Sequence, residues 1–361
     1  MKKILLSIIA FLSFVFSQEY NIEDLLEQDG VFIKKFSDEE VNGKVYLMYG
    51  DTKVYLGKMK KGKQDGTWTE WYENGLKRSK TVYFKGLVNG KREWWSENGK
   101  MDSSGTYKDG KLNGEWTSWH EDGQKEKEVT FKNGEVDGLS TLWYENGQKQ
   151  FEGTFKDGEK DGLFTKWSND GLKEEKVTYK NGKKEGKMIK YYIDDEYTRS
   201  GISSNKIGDL HTMIEYKDDK KHGRFLKYHQ GQLVIEENYK QNELDGKSTW
   251  YQNNGQKLKE GTFKDGKEDG LKTYWNEYGQ VVEETVFDLG NLMNKKEYDY
   301  YPTGEVYTIE TNDGIITYYS IKGEIEKETK NGEIWNGKLT EWWNDDNKKK
   351  EISYKDGKLN G

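Results

Sequence analysis

The chain has 361 residues, 32% hydrophobic and 34% charged, and a formal net charge of −7. Apolar content this low excludes a thick aliphatic core, and 58 Lys and Arg interleaved with 65 Asp and Glu exclude the clustered basic face that nucleic-acid binding needs. The 13 Trp, 25 Tyr and 13 Phe exclude a disordered chain, and the lack of cysteine excludes a thiol nucleophile, a zinc-thiolate centre and disulfides.

Taken in chain order, residues 1–17 predict a secretory signal peptide: Lys2 and Lys3 precede an apolar run from Ile4 to Phe16, and small Ser17 offers a cleavage position. That run falls short of the ~20 residues a spanning helix needs. A secreted, periplasmic or cell-surface location is therefore expected. Residues 18–42 read as a cap segment, with a short helix over "IEDLLEQ", Ile22 to Gln28, placed to cover the first sheet edge.

From 43 to 361 the chain repeats itself. Gly66, Gly90, Gly114, Gly138, Gly162 and Gly186 stand 24 residues apart, and the series resumes at Gly223, Gly246 and Gly270 and at Gly314, Gly337 and Gly361. With Gly43 ahead of them, they mark about thirteen units. Asn294 replaces one anchor glycine, leaving a degenerate unit at about 294–314 that holds the single proline, Pro302; an insertion occupies about 193–211.

Counting each anchor glycine as place one, the sixth place is an indole or phenol and includes Trp71, Trp95, Trp119, Trp143, Trp167, Trp275 and Trp342. Places eight to ten read "ENG" or "EDG", the eighteenth is again aromatic (Tyr83, Tyr107, Phe131, Phe155), and a second signal, "KDGK", follows. Two Asn-Gly or Asp-Gly signals per unit predict two hairpin turns of type I′ joining two strands. Such a register sets each anchor glycine opposite an eighteenth-place aromatic, with the ring lying over a backbone that has no side chain.

The pattern G-x-W-x-x-W-Y-x-N-G-x-x-K, then an aromatic, then K-D/N-G-K-x-D/N-G, is seen in "GLSTLWYENGQKQFEGTFKDGEKDG" at Gly138 to Gly162. It resembles the bacterial MORN-repeat variant, and the likeness runs from Asn42 to Gly361. The resemblance implies an all-β fold, an elongated antiparallel β-meander or solenoid of about thirteen two-stranded MORN-like repeats. It also implies roles of the kind the family is linked with: membrane-lipid association, protein scaffolding and dimerisation. Choline-binding cell-wall repeats also mix Gly, Trp and Tyr around hairpins, but their units are shorter and lack the second turn.

No catalytic residue, metal site or cofactor is assigned. His120 and His229 hold the seventh place, where Tyr72 and Tyr144 stand elsewhere, so a structural role accounts for them. The abundant aspartates, such as Asp109, Asp137, Asp157 and Asp161, fall at turn positions. Asp194, Asp195 and Glu196 of the insertion read as loop decoration before they read as calcium ligands. What remains is surface. Strand alternation sends the sixth-place ring and its seventh-place neighbour to opposite faces, giving an aromatic stripe on each. The expectation is an exported, non-enzymatic repeat scaffold whose stripe of Trp71, Trp95, Trp119, Trp143, Trp167, Trp275 and Trp342 binds a protein partner or a second copy as a homodimer. The alternative is a carbohydrate or cell-envelope glycan platform. Negative net charge argues against membrane lipid.

Overall fold

The structure, a computed structural model, describes residues 18–191, 209–344 and 347–360. The signal peptide expected at 1–17 and Asp194, Asp195 and Glu196 lie outside the described residues. Two compact units divide between Asp161 and Gly162.

The chain is all-β, an antiparallel meander of two-stranded repeats. In the first unit, strands Lys111–Trp119, Lys125–Lys132, Glu135–Trp143 and Lys149–Lys156 pair in succession. The second unit repeats the scheme, as in Lys220–His229, Gln232–Lys240, Glu243–Tyr251 and Lys257–Lys264. Each longer strand runs from a second turn, through the anchor glycine, to a first turn.

The two turns differ in kind. At the second, both central residues have positive φ, as in Asp109 (49°) with Gly110 (81°) and Asn133 (54°) with Gly134 (94°), which is the type I′ turn expected. At the first turn Gly75 takes φ 83° while Asn74 stays outside the left-handed region. Gly75 N donates to Tyr72 O at 2.9 Å and Tyr72 N to Leu76 O at 2.8 Å. The first turn is thus a four-residue turn closed by a left-handed glycine, and the type I′ expectation is corrected there. Asn serves here through its side chain, since Asn74 Oδ1 accepts from Leu76 N at 3.0 Å.

The expected register holds: Gly66 faces Tyr83, Gly90 faces Tyr107, Gly114 faces Phe131 and Gly138 faces Phe155. Its physical reason is different from the one anticipated. Val129 pairs with Ser140 and Phe131 with Val136, so Asp137, Gly138 and Leu139 together oppose the single residue Thr130. The anchor glycine therefore sits in a bulge at φ 124°, and a β-carbon there would stand 2.9 Å from Cβ of Thr130 on the preceding strand. Asn294 shows the converse. Val286 pairs with Asn294 and Phe287 with Leu292, a bulge shorter by one residue, and Asn294 keeps a negative-φ backbone that needs no glycine.

In several repeats the Asn or Asp before the anchor glycine caps the next repeat's second turn. Asn113 Oδ1 accepts from Asn133 N at 3.1 Å, Asp137 Oδ2 from Asp157 N at 3.2 Å and Asn336 Oδ1 from Asp356 N at 2.9 Å. Turn glycines stack the same way, Gly110 N on Val88 O and Gly134 N on Leu112 O, both at 2.8 Å. Backbone donors at the turn tips are thereby satisfied between repeats.

The N-terminal segment corrects the helix expected over Ile22–Gln28. Only Ile22–Asp24 forms a 3₁₀ turn, and Leu25–Gln28 is a strand paired with Val31–Lys34. Asp29 and Gly30, both at positive φ, close that hairpin, and a run this short does not repay helix nucleation. Glu19–Asn21 adds a parallel strand beside Gly43–Tyr49. Under these elements lies an apolar cluster of buried side chains: Leu25, Val41, Val45, Met59 and Trp68.

Candidate functional site

Apart from Trp342, whose strand runs on to Asn344, the sixth-place tryptophans end their strands just before the first turn, paired with the residue that opens the return strand: Trp71 with Lys77, Trp119 with Lys125, Trp143 with Lys149 and Trp167 with Lys173. Trp95 pairs with Met101, Trp275 with Val281 and Trp342 with Lys348. Trp71, Trp95, Trp119, Trp143, Trp167 and Trp275 are all half-buried. The lysine of one repeat extends over the tryptophan of the next: Lys77 Nζ lies 5.9 Å from the Trp95 ring centre, Lys125 5.7 Å from Trp143 and Lys257 5.5 Å from Trp275. Ammonium groups at that distance are held by the ring quadrupole, while their methylene stems cover apolar surface.

The seventh place does not make a second stripe. At Tyr72, His120, Tyr144 and Gln252 it lies beyond the strand, at the turn, whereas His229 is the last residue of its strand. Tyr72 Oη donates to Trp95 O at 2.7 Å, Gln252 Nε2 to Asn276 O at 2.8 Å and, in the degenerate repeat counted back from its turn glycine Gly304 as place ten, Tyr301 Oη to Tyr319 O at 2.9 Å. His120 Nε2 stands 3.2 Å from Trp143 O, which gives the structural role expected of that histidine its contact. Burial, followed by the charges of Lys227 and Lys190, pushes the His211 imidazole down from its ordinary value. Among the described residues no group of His, Asp and Glu is arranged to hold a metal ion.

An aromatic row that the repeat count did not single out occupies the other face. Third-place and sixteenth-place residues alternate across the sheet, Gly105 facing Trp116, Trp116 facing Val129 and Val129 facing Ser140. Large side chains stand beside small ones. A β-carbon on Gly105 would meet Trp116 Cδ1 at 2.7 Å, and one on Gly57 would meet Trp68 Cδ2 at 2.5 Å. The ring over bare backbone anticipated for the anchor glycine occurs here instead. Eighteenth-place rings complete the row edge-on, with centroids 6.5 Å apart for Trp68 and Tyr83, 5.0 Å for Phe164 and Tyr179 and 6.1 Å for Phe225 and Tyr239. Burial pushes the phenols of Tyr83, Tyr107, Tyr179 and Tyr239 up, which keeps them neutral packing groups. The sequence signal for this row was size complementarity: Trp68 and Trp116 at place three against Thr81 and Gly105 at place sixteen.

Three concavities border the first-turn edge. One of 410 Å³ is lined by Tyr49, Val54, Trp71, Tyr72 and the turn Glu73 to Gly75. A second, of 460 Å³, joins Trp119 and His120 to Glu121, Asp122, Glu126 and Glu145. The largest of the three, 610 Å³, belongs to the degenerate repeat around Pro302. Among the described residues no helix is long and apolar enough to cross a membrane.

No curated protein matches the chain. The crystal structure of TcdB2-TccC3-Cdc42 is similar over 85% of this chain and 18% of that one, at 12% identity and a TM-score of 0.20. That of TcdB2-TccC3-TEV is similar over 94% and 22%, at 11% identity and a TM-score of 0.16. The chain thus spans about a fifth of those chains' length, and likeness at such TM-scores carries no argument. The repeat itself is matched: residues 64–84, 88–109, 112–133, 136–157 and 244–265 each fit the MORN repeat variant, and the chain carries MORN-variant repeats.

Proposed function

We propose that this repeat scaffold is exported and non-enzymatic, and that its repeated face binds a protein partner or a second copy of itself. The observation that carries the reading is a pairing of exposed leucine with half-buried tryptophan. Leu139, Leu163 and Leu271, at the second place, are 45%, 52% and 51% exposed. Each lies four residues before Trp143, Trp167 or Trp275 in the same strand, hence on the same face about 13 Å away. A protein surface matches such a spaced apolar pattern. Sugar stacking on the tryptophan stripe is less favoured, because the lysine side chains over Trp95, Trp143 and Trp275 compete for the ring faces. Sedimentation equilibrium of the mature chain, joined with photo-cross-linking from position 163, tests this. Concentration-dependent association or a discrete protein adduct, lost in Leu139→Lys/Leu271→Lys, is expected; a monomer at every concentration with no protein adduct would overturn it. Export is checked by the N-terminal sequence of the cellular protein, expected to begin after Ser17.

A further inference from the structure

Three departures from the repeat converge on the 610 Å³ cleft near Pro302. Tyr278 stands at the ninth place, where Asn74, Asn98 and Asn146 stand elsewhere; and, with the degenerate repeat counted back from its turn glycine Gly304 as place ten, Tyr298 stands at the fourth, where Thr69, Thr117 and Thr141 stand elsewhere, and Pro302 at the eighth, where Glu73, Glu97 and Glu145 stand. All three line the cleft, together with Asn276 and Tyr300. From this geometry we infer that the cleft is a binding site for a neutral saccharide.

The volume lies within the range of ~300–1,000 Å³ typical of small-ligand sites. Its aromatic walls are held rigid through their hydroxyls: Tyr298 Oη donates to Glu284 Oε2 at 2.7 Å, Tyr301 Oη to Tyr319 O at 2.9 Å and Tyr300 Oη to Val281 O. Tyr278 is 75% exposed and is the ring left open to stack on a ligand. Asn276 Nδ2 donates to Gln280 Oε1 at 2.9 Å and Gln280 Nε2 to Gly304 O at 3.0 Å. Each amide nitrogen carries two hydrogens, so one N–H on each remains for a ligand, and each tethered phenol oxygen keeps an acceptor lone pair. Asp299 adds a carboxylate whose Oδ2 accepts from Thr308 at 2.9 Å, leaving its other oxygen as an acceptor.

Mixed donors and acceptors beside an open ring suit the hydroxyls and the apolar face of a pyranose. A quaternary ammonium would leave the amide donors unused, and a phosphate would meet the Asp299 charge with no Lys, Arg or His among the described lining residues. The inference is separate from protein association along the leucine and tryptophan face, which sedimentation reads independently.

Calorimetric titration of the full chain with cellotetraose, maltotetraose and chitotetraose, and with choline chloride as the cationic probe, tests it. At least one tetrasaccharide is expected to bind, with affinity about tenfold or more weaker in Tyr278→Ala and retained in Tyr278→Trp. Tyr278 is a surface side chain, so both variants should keep the wild-type circular dichroism. Failure of all three sugars at millimolar concentration, binding of choline alone, or sugar binding unchanged in Tyr278→Ala would each overturn the assignment.

Discussion

At Gly105 a side chain is forbidden by a neighbour, because Trp116 Cδ1 would lie 2.7 Å from an added β-carbon and Gly105 has no positive φ to explain its presence. Gly105→Ala is expected to cost about 1–3 kcal/mol in urea unfolding, as overpacking does. In a Trp116→Ala background the same change should be neutral or stabilising by up to ~1 kcal/mol, since Ala then fits a strand better than Gly. Equal costs in both backgrounds would show that packing against the indole is not the cause. The residue scale is also where the sequence was least explicit. Anchor glycines announced themselves by their period, but a glycine demanded by a bulge and a glycine demanded by a ring look alike until the register assigns each an opposite number.

Between repeats the stabilising contacts are hydrogen bonds at the turns. Tyr72 Oη reaches Trp95 O, and Asn74 Nδ2 donates to Glu97 O at 2.8 Å, so two consecutive first turns are tied through one tyrosine and one asparagine. Tyr72→Phe keeps the ring and removes the tie. It is expected to lower stability by about 0.5–1.5 kcal/mol and to speed amide exchange in the turn Ser96–Lys100 more than at Asp109–Gly110. Unchanged exchange at Ser96–Lys100 would mean the tie contributes nothing. Strand and hairpin positions were legible because Asn-Gly and Asp-Gly recur on schedule. Turn type was not, because Asn74-Gly75 and Asn133-Gly134 are the same dipeptide, yet only Asn133 takes positive φ. The "IEDLLEQ" segment misled for a related reason: the Asp29-Gly30 signal that follows it outweighs the short helical pattern, and Leu25–Gln28 pairs as a strand.

At the scale of the whole molecule the period itself makes a prediction, argued within the first unit. Each repeat touches its neighbours through the same places: third against sixteenth, anchor glycine against seventeenth, capping Asn or Asp against the next turn. Removing Gly90–Asn113, which is 24 residues, takes out one capping Asn and one anchor glycine and brings equivalents into their place. Asn89 then precedes Gly114, Thr81 faces Trp116 and Val82 meets Gly114, each a match of the same class as the native one. The shortened chain is expected to keep its β-type circular dichroism and a cooperative unfolding transition, as nearest-neighbour stability in repeat arrays implies. Removing the 12 residues Gly90–Met101 instead deletes most of one strand and one first turn, so the next strand would have to enter the ladder in the wrong direction. That variant should lose cooperativity or aggregate through unpaired edges. If both deletions behave alike, whether folded or unfolded, the 24-residue period is not the unit of cohesion, and the turn-to-turn hydrogen bonds do not define where one repeat ends and the next begins.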